Sequence, residues 1–216
     1  MVKPVDHYTR IREYWREQFL LQDQEALIRQ FCLDKDENAL YITYYGRHYQ
    51  ISRQSGIIQA VDCPGKALPF STEMAILHLF CYRKPNAKLS RSFVPFRDIP
   101  GASPYAPAFQ RSVDEGLAAP FAGHAALLKK ACEALQGVPC AYGDVGYIIP
   151  AFDIMPVMLV FWDRDAEFEA QANLLFDAGI TGYIHEETVC CIADDLMCRL
   201  TEEAGISPPW DTEKKE

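Results

Sequence analysis

The sequence predicts an α+β fold: a mainly antiparallel sheet, built from an N-terminal β-meander and C-terminal strands, with helices packed around it. Three observations carry that expectation. Strand-like runs cluster at 39–61 and again at 142–176, with helical periodicity between and after them rather than in strict alternation. Residues 158–162 form an unbroken apolar run after Pro156, the pattern of a central strand covered on both faces. From Glu186 to about Ala204, Val189, Ile192, Ala193, Leu196, Met197 and Leu200 recur at spacings of three and four, which makes an amphipathic helix expected to pack on the sheet.

The elements follow in order. Residues 5–20 read as a helix with Tyr8, Ile11, Trp15 and Phe19 on one face, and Asp23 supplies the N-cap of a second helix through Phe31 and Cys32. Together 5–32 make an N-terminal helical layer. Residues 39–45 and 48–53 are strands joined by Gly46-Arg47, a two-residue loop with glycine first, which signals a type II′ turn. That loop pairs Tyr44 with Tyr49 and Ile42 with Ile51, putting Leu40, Ile42, Tyr44, Tyr49 and Ile51 on one face. Tyr41, Thr43, Tyr45, His48, Gln50 and Ser52 fall on the other. A third strand near 57–61 completes the meander.

Residues 69–82 form the next helix, capped by Ser71 or Thr72 and apolar around most of its surface, hence buried; His78 inside it reads as a hydrogen-bonded core residue. A basic connector (83–92) leads to an extended segment (93–101) broken by two prolines. Ser103-Pro104 offers an N-cap and first-turn proline for a short helix to about Glu115, and Pro120 opens another that ends at Gly137. Residues 142–149 regain strand character, with Asp144 and Gly146 suggesting an edge strand or a bulge. Residues 172–176 read as a strand ended by the turn Asp177-Ala178-Gly179. A loose polar tail at 207–216 leaves 1–206 as one domain.

Composition narrows the function classes. With 216 residues, 49 % hydrophobic and 24 % charged, the chain buries a full core. A net charge of −9 and a pI near 5.1 argue against nucleic-acid or anionic-membrane binding through a basic surface. No stretch has the apolar length of a membrane span, and residues 1–20 are charged and amphipathic, unlike a signal peptide. The expected location is the cytoplasm. The eight cysteines, none in a CxxC pair, are then expected to be reduced, with Cys32, Cys81 and Cys132 filling apolar helix faces; so many thiols suit an anaerobic or strongly reducing cell.

The densest set of ligating side chains lies on the last helix. His185 stands at its N-cap and Glu186 and Glu187 complement its positive end. Advancing about 100° per residue brings Glu187, Cys191, Asp194 and Cys198 into one stripe away from the apolar face. Thiolates and carboxylates at such spacing suit a soft metal or a redox site, so Cys191, Asp194 and Cys198 are the metal candidates. The plainer account is contact with another element or a second subunit, because neighbouring acids raise a thiol's pKa and no closed set of four ligands assembles locally. A zincin helix is excluded: Val189 occupies the position of the second histidine. Tyr45 and His48, on the polar hairpin face, are candidates for lining a ligand cleft, although such faces are more often solvated.

The segments FVPFRDIPG at 93–101 and LLFDAG at 174–179, with the HEE-led helix at 185, resemble the family catalogued as domain of unknown function 3786, over about 20–203. The resemblance implies a source among mostly anaerobic bacteria and marks Arg97, Asp177 and Glu187 as positions to test, without chemistry. Some relatives carry an iron-sulfur segment whose closely spaced cysteines are absent here.

No G-x-S-x-G elbow, Walker loop or G-x-G-x-x-G occurs, so hydrolysis and phosphate binding by those routes are unsupported. Three readings remain, with the cofactor unknown. The first is a cytoplasmic accessory protein binding a small ligand, cofactor or metal between the meander and the last helix, through Arg97, Asp177, His185 and Glu187. The second is a metal-dependent enzyme using His185 and nearby carboxylates. The third is an interaction module whose cysteine-acid stripe meets a protein partner or a second copy.

Overall fold

The computed structural model describes residues 7–206; the expected polar tail and the start of the first helix, Val5 and Asp6, lie outside them. The architecture is α+β with two antiparallel sheets. Helix α1 (His7–Leu20) lies against α3 (Phe70–Cys81), and α2 (Gln24–Phe31) is capped by Asp23, whose carboxylate accepts from the Ala26 N–H. The carboxylate of Glu73, buried on α3, pairs with Arg12 and Arg16 of α1. Cys32 is not a core filler: it ends α2 in the left-handed region, at φ 51°, and is exposed.

The first sheet runs β1 (Asp34–Lys35), β2 (Ala39–Tyr44), β3 (Arg47–Ser52), β4 (Ile58–Ala60) in that order. The hairpin turns one residue earlier than its glycine suggests. Tyr45 and Gly46 form the loop, with φ of 44° and 73°, so Tyr44 faces Arg47 and Ile42 faces Tyr49. Positive φ at both positions is the type I′ requirement, and a tyrosine there is strained. Tertiary contacts offset the strain: Tyr45 is buried, its N–H bonds Ala151 O at 2.9 Å, and its hydroxyl donates to Ile192 O at 3.0 Å. Because the pairing moves by two, the apolar face of Leu40, Ile42, Tyr44, Tyr49 and Ile51 is preserved.

Helix α3 is buried around most of its surface, yet neither expected hydroxyl caps it. Both Ser71 and Thr72 are turned to Asp195 instead. After it, β5 (Phe93–Pro95) leads through 3-10 turns at Phe96–Asp98 and Ser103–Tyr105 into α4 (Ala106–Val113); Ser103 makes no capping bond. Pro120 does not open a helix. It lies in α5 (Ala119–Phe121), continuous with α4 through a π-helical turn at Asp114–Ala118. The widened turn accommodates a residue that has no N–H and whose ring presses on the preceding turn. Helix α6 (Ala125–Ala134) follows.

The second sheet has the order β5-β9-β8-β7-β6, with β6 (Val138–Pro139), β7 (Val145–Phe152), β8 (Met155–Trp162) and β9 (Gln171–Asp177). The apolar run is central, as expected, but its second face is only partly covered, with Val160 buried, Met158 half-buried and Trp162 exposed. Val157, Leu159 and Phe161 are buried in the core, whereas Met158, Val160 and Trp162 floor an open groove of about 770 Å³. An apolar run has the same sequence in either setting. The irregularity expected near Gly146 lies instead between Pro150 and Phe152 of β7. It leaves the Ala151 carbonyl to receive the Tyr45 N–H, and Phe152 stacks on Tyr44 with ring centroids 4.6 Å apart. Those two contacts join the sheets.

Helix α7 (Glu186–Ala204) has the expected span, the His185 cap and the expected buried face, but that face packs chiefly on α3 and α6 rather than on strands. Buried side chains of both sheets and of α3, α6 and α7 belong to one apolar cluster. Among the described residues no helix is long and apolar enough to cross a membrane.

Candidate functional site

The packing of α7 on α3 brings Asp195 against the first turn of α3 and the end of β2. Ser71 Oγ donates to Asp195 Oδ1 at 2.6 Å, and Thr72 Oγ1 and the Tyr44 hydroxyl donate to Oδ2 at 3.1 and 3.0 Å. The carboxyl is 7 % exposed, and burial pushes it up to about 6 against the opposing effect of the three hydroxyl bonds. Burial also holds the Tyr44 and Tyr45 hydroxyls well above the ordinary phenol range.

This cluster forms the inner end of a cleft of about 480 Å³ between the meander and the C-terminal half of α7. Tyr44, Tyr45, Tyr49 and Ala60 line it from the sheet, Leu68 and Pro69 from the approach to α3, and Cys198 from α7. The mouth is charged. Arg47 and Arg199 both reach Glu202 at 2.6 Å, and Arg199 also binds Glu203 at 2.7 Å. Although burial works against it, these two cations hold the Glu202 carboxyl below its usual range. Asp62, near Arg47, and Lys66 line the same opening. A mostly apolar concavity with a few convergent polar groups and one strongly shifted acid is the usual form of a small-molecule site.

The cleft lies where a site was expected, but most of the expected residues are elsewhere. Tyr45, Asp194 and Cys198 line it. His185 accepts from the Glu187 N–H through Nδ1 at 3.2 Å, and Glu187 is exposed two turns, roughly 12 Å, up the helix from Asp195. Arg97 borders the separate groove over β8 and β9. His48 is on the open hairpin face, 3.1 Å from Thr43 Oγ1. Asp177 is buried and its oxygens accept from Ser90 N, Ser90 Oγ, Arg91 N and Gly179 N at 2.6–3.0 Å, so it anchors the connector into β5. Cys191 is half-buried, and burial with the nearby Asp195 and Asp194 pushes its thiol up to about 12. Burial likewise raises the Asp194 carboxyl, against a 3.4 Å bond from Ser112 Oγ. Among the described residues no group of three or more His, Cys, Asp or Glu side chains converges to hold a metal ion.

Asp195 itself is absent from the polar stripe because it lies a further 100° round the helix from Asp194, on the border between that stripe and the apolar arc. Thr188, also buried, shares the border, and periodicity assigns neither residue to a face, so the sequence alone does not mark the acid.

No curated protein and no solved structure matches the chain. Residues 23–199 match the family model described as Domain of unknown function (DUF3786), which spans α2 to most of α7 and so includes every residue of the Asp195 cluster. The chain therefore belongs to the DUF3786 family.

Proposed function

We propose that the chain is a small-molecule-binding accessory protein of the cytoplasm whose ligand enters the cleft between the meander and α7. The observation that carries this reading is Asp195: a desolvated carboxyl at the inner end of a cavity, held by three hydroxyls from two other elements. Burying an acid this way costs stability, and a core position of no other use is better filled by an apolar side chain. The cavity volume is in the usual range for ligand sites, roughly 300–1,000 Å³.

The reading does not require turnover. Among the described residues no histidine lines the cleft, and the Cys191 thiol beside Asp195 on α7 is pushed up to about 12 by burial. A fragment screen by protein-observed NMR tests it, with Ala60→Trp as the variant that fills the cleft. Fragments that shift the amides of Ser71, Thr72 and Asp195 in the native chain and not in the filled variant support the site. A screen with hits only elsewhere, for instance over β8 and β9, moves the function away from Asp195.

A further inference from the structure

We propose that the ligand of this cleft is a small organic ammonium, seated with its charged head against Asp195 and its chain along Tyr44 and Tyr49. The proposal rests on the reading of the cleft as the ligand site and adds the chemical class.

Hydrogen-bond accounting supplies the first argument. Ser71, Thr72 and Tyr44 all spend their only hydroxyl proton on the Asp195 carboxylate. What remains on each oxygen is acceptor capacity, so the inner end of the cleft offers lone pairs and no hydroxyl donors. A complementary head group must bring donors, and an ammonium brings three.

Charge supplies the second. Every side chain bonded to Asp195 is a neutral hydroxyl, while Arg47 and Arg199 are engaged by Glu202 and Glu203 at the mouth. Among the described residues no cation is bonded to the buried carboxylate; Arg199, one turn further along α7, lines the same cleft with its Nε buried and unpartnered, but its terminal nitrogens are turned to Glu202 and Glu203. A ligand cation would supply the missing compensation in a desolvated place, where such pairs are strongest. Tyrosine walls suit the same ligand, because aromatic rings attract a cation and cover its alkyl chain.

The third argument concerns protonation. An ammonium should bind the ionised carboxylate, and burial places the Asp195 transition at about 6. The other charged or titratable groups around it are Cys191, Asp194, Cys198, Arg199 and Glu202 on α7, Tyr44, Tyr45, Arg47 and Tyr49 of the hairpin, and Asp62, Cys63 and Lys66 after β4. Arginine and lysine keep their charge between pH 5 and 8. Affinity should therefore fall roughly tenfold from pH 8 to pH 5, as about nine-tenths of Asp195 becomes protonated.

The test uses three probes with one six-carbon chain: hexylamine, hexanoate and 1-hexanol, titrated into the full chain by calorimetry and NMR. Hexylamine is expected to shift the Ser71, Thr72 and Asp195 amides and to bind at least tenfold more tightly than either other probe. Its affinity should drop about tenfold between pH 8 and pH 5, and Asp195→Asn should remove that drop. Equal binding of hexanol or hexanoate in the cleft, or a flat pH profile for hexylamine, overturns the ammonium class while leaving the cleft as a ligand site. Silence of the cleft resonances to all three probes also overturns it; the independent fragment screen then decides whether the cleft reading falls as well. The probe comparison and the pH profile use the native chain, so the test holds even if Asp195→Asn does not fold.

Discussion

Ser71 and Asp195, 124 positions apart in the chain, are joined by a 2.6 Å hydrogen bond that fastens the start of α3 to the middle of α7. Helix α3 has no side-chain cap, because Pro69 occupies the cap position and Ser71 lies one residue inside the helix. The Ser71 hydroxyl is thus free to satisfy a buried carboxylate, where an unmade bond would be costly. The same bond makes the local structure around the cleft depend on pH.

Asp195 has a folded-state pKa of about 6, above the unfolded aspartate value near 3.9. Its contribution to stability is therefore fully present below about pH 4 and is lost as pH rises through 6, by an amount on the order of 3 kcal/mol. Asp195→Asn should remove that component. Urea denaturation of both proteins at intervals from pH 4 to 8 measures it: the stability difference between native chain and variant should change mainly between pH 4 and 6.

His78 acts in the opposite direction. Burial, with His185 nearby, lowers its pKa to about 4, and its Nδ1 is bonded to Thr188 Oγ1 while Nε2 is buried without a partner. A depressed histidine contributes stability above the unfolded value near 6.5, and loses it as pH falls through 4, again by roughly 3 kcal/mol. Between pH 4 and 6 the two groups largely cancel in the native chain. His78→Gln should unmask the Asp195 profile, so that the variant becomes more stable on acidification; a variant with the native profile would show that His78 does not titrate this way.

Asp177 should behave as a structural acid. Its two oxygens accept four bonds, three of them from the 90–91 connector. Asp177→Ala leaves the Ser90 and Arg91 amides without their acceptor and should cost about 2–4 kcal/mol, with Asp177→Asn costing less. Hydrogen exchange at those two amides should accelerate well beyond the change in global stability, and hexylamine affinity should stay unaltered at pH 8.

Glu73 tests the N-terminal layer. Its buried carboxylate holds Arg12 and Arg16 of α1 against α3, and Arg16 Nε is already buried without a partner. Glu73→Ala leaves two half-buried guanidinium groups uncompensated and should cost about 3 kcal/mol. Limited proteolysis should then cut first within α1. Cleavage first in the connector between α3 and β5 would mean that α1 is held mainly by the packing of Phe19 and Trp15.

Some of this was legible in residue order and some was not. Period-two alternation around 39–52 assigns the apolar hairpin face correctly even though the turn is displaced, because the pairing shifts by two and two is the period of the strand. The bounds and buried face of α7 follow from spacing and from the His185 end. The turn itself was decided elsewhere: Tyr45 adopts φ 44° because Ala151 and Ile192, both more than 100 residues away, receive its N–H and hydroxyl.

The segments at 93–101 and 174–179 and the start of the last helix carried the resemblance to the family the chain belongs to, while composition and periodicity by themselves determined the fold class, the central place of 158–162 and the amphipathic last helix. These depend on local preference and on the sorting of apolar from polar residues, both of which are written along the chain. Only the tertiary structure decided that Asp177 is an anchor, that Arg97 and His185 lie apart, and that Asp195 gathers Tyr44, Ser71 and Thr72 at the end of a cleft. A carboxylate's role is set by what surrounds it once water is removed, and here those surroundings come from α3 and β2, more than 120 residues earlier.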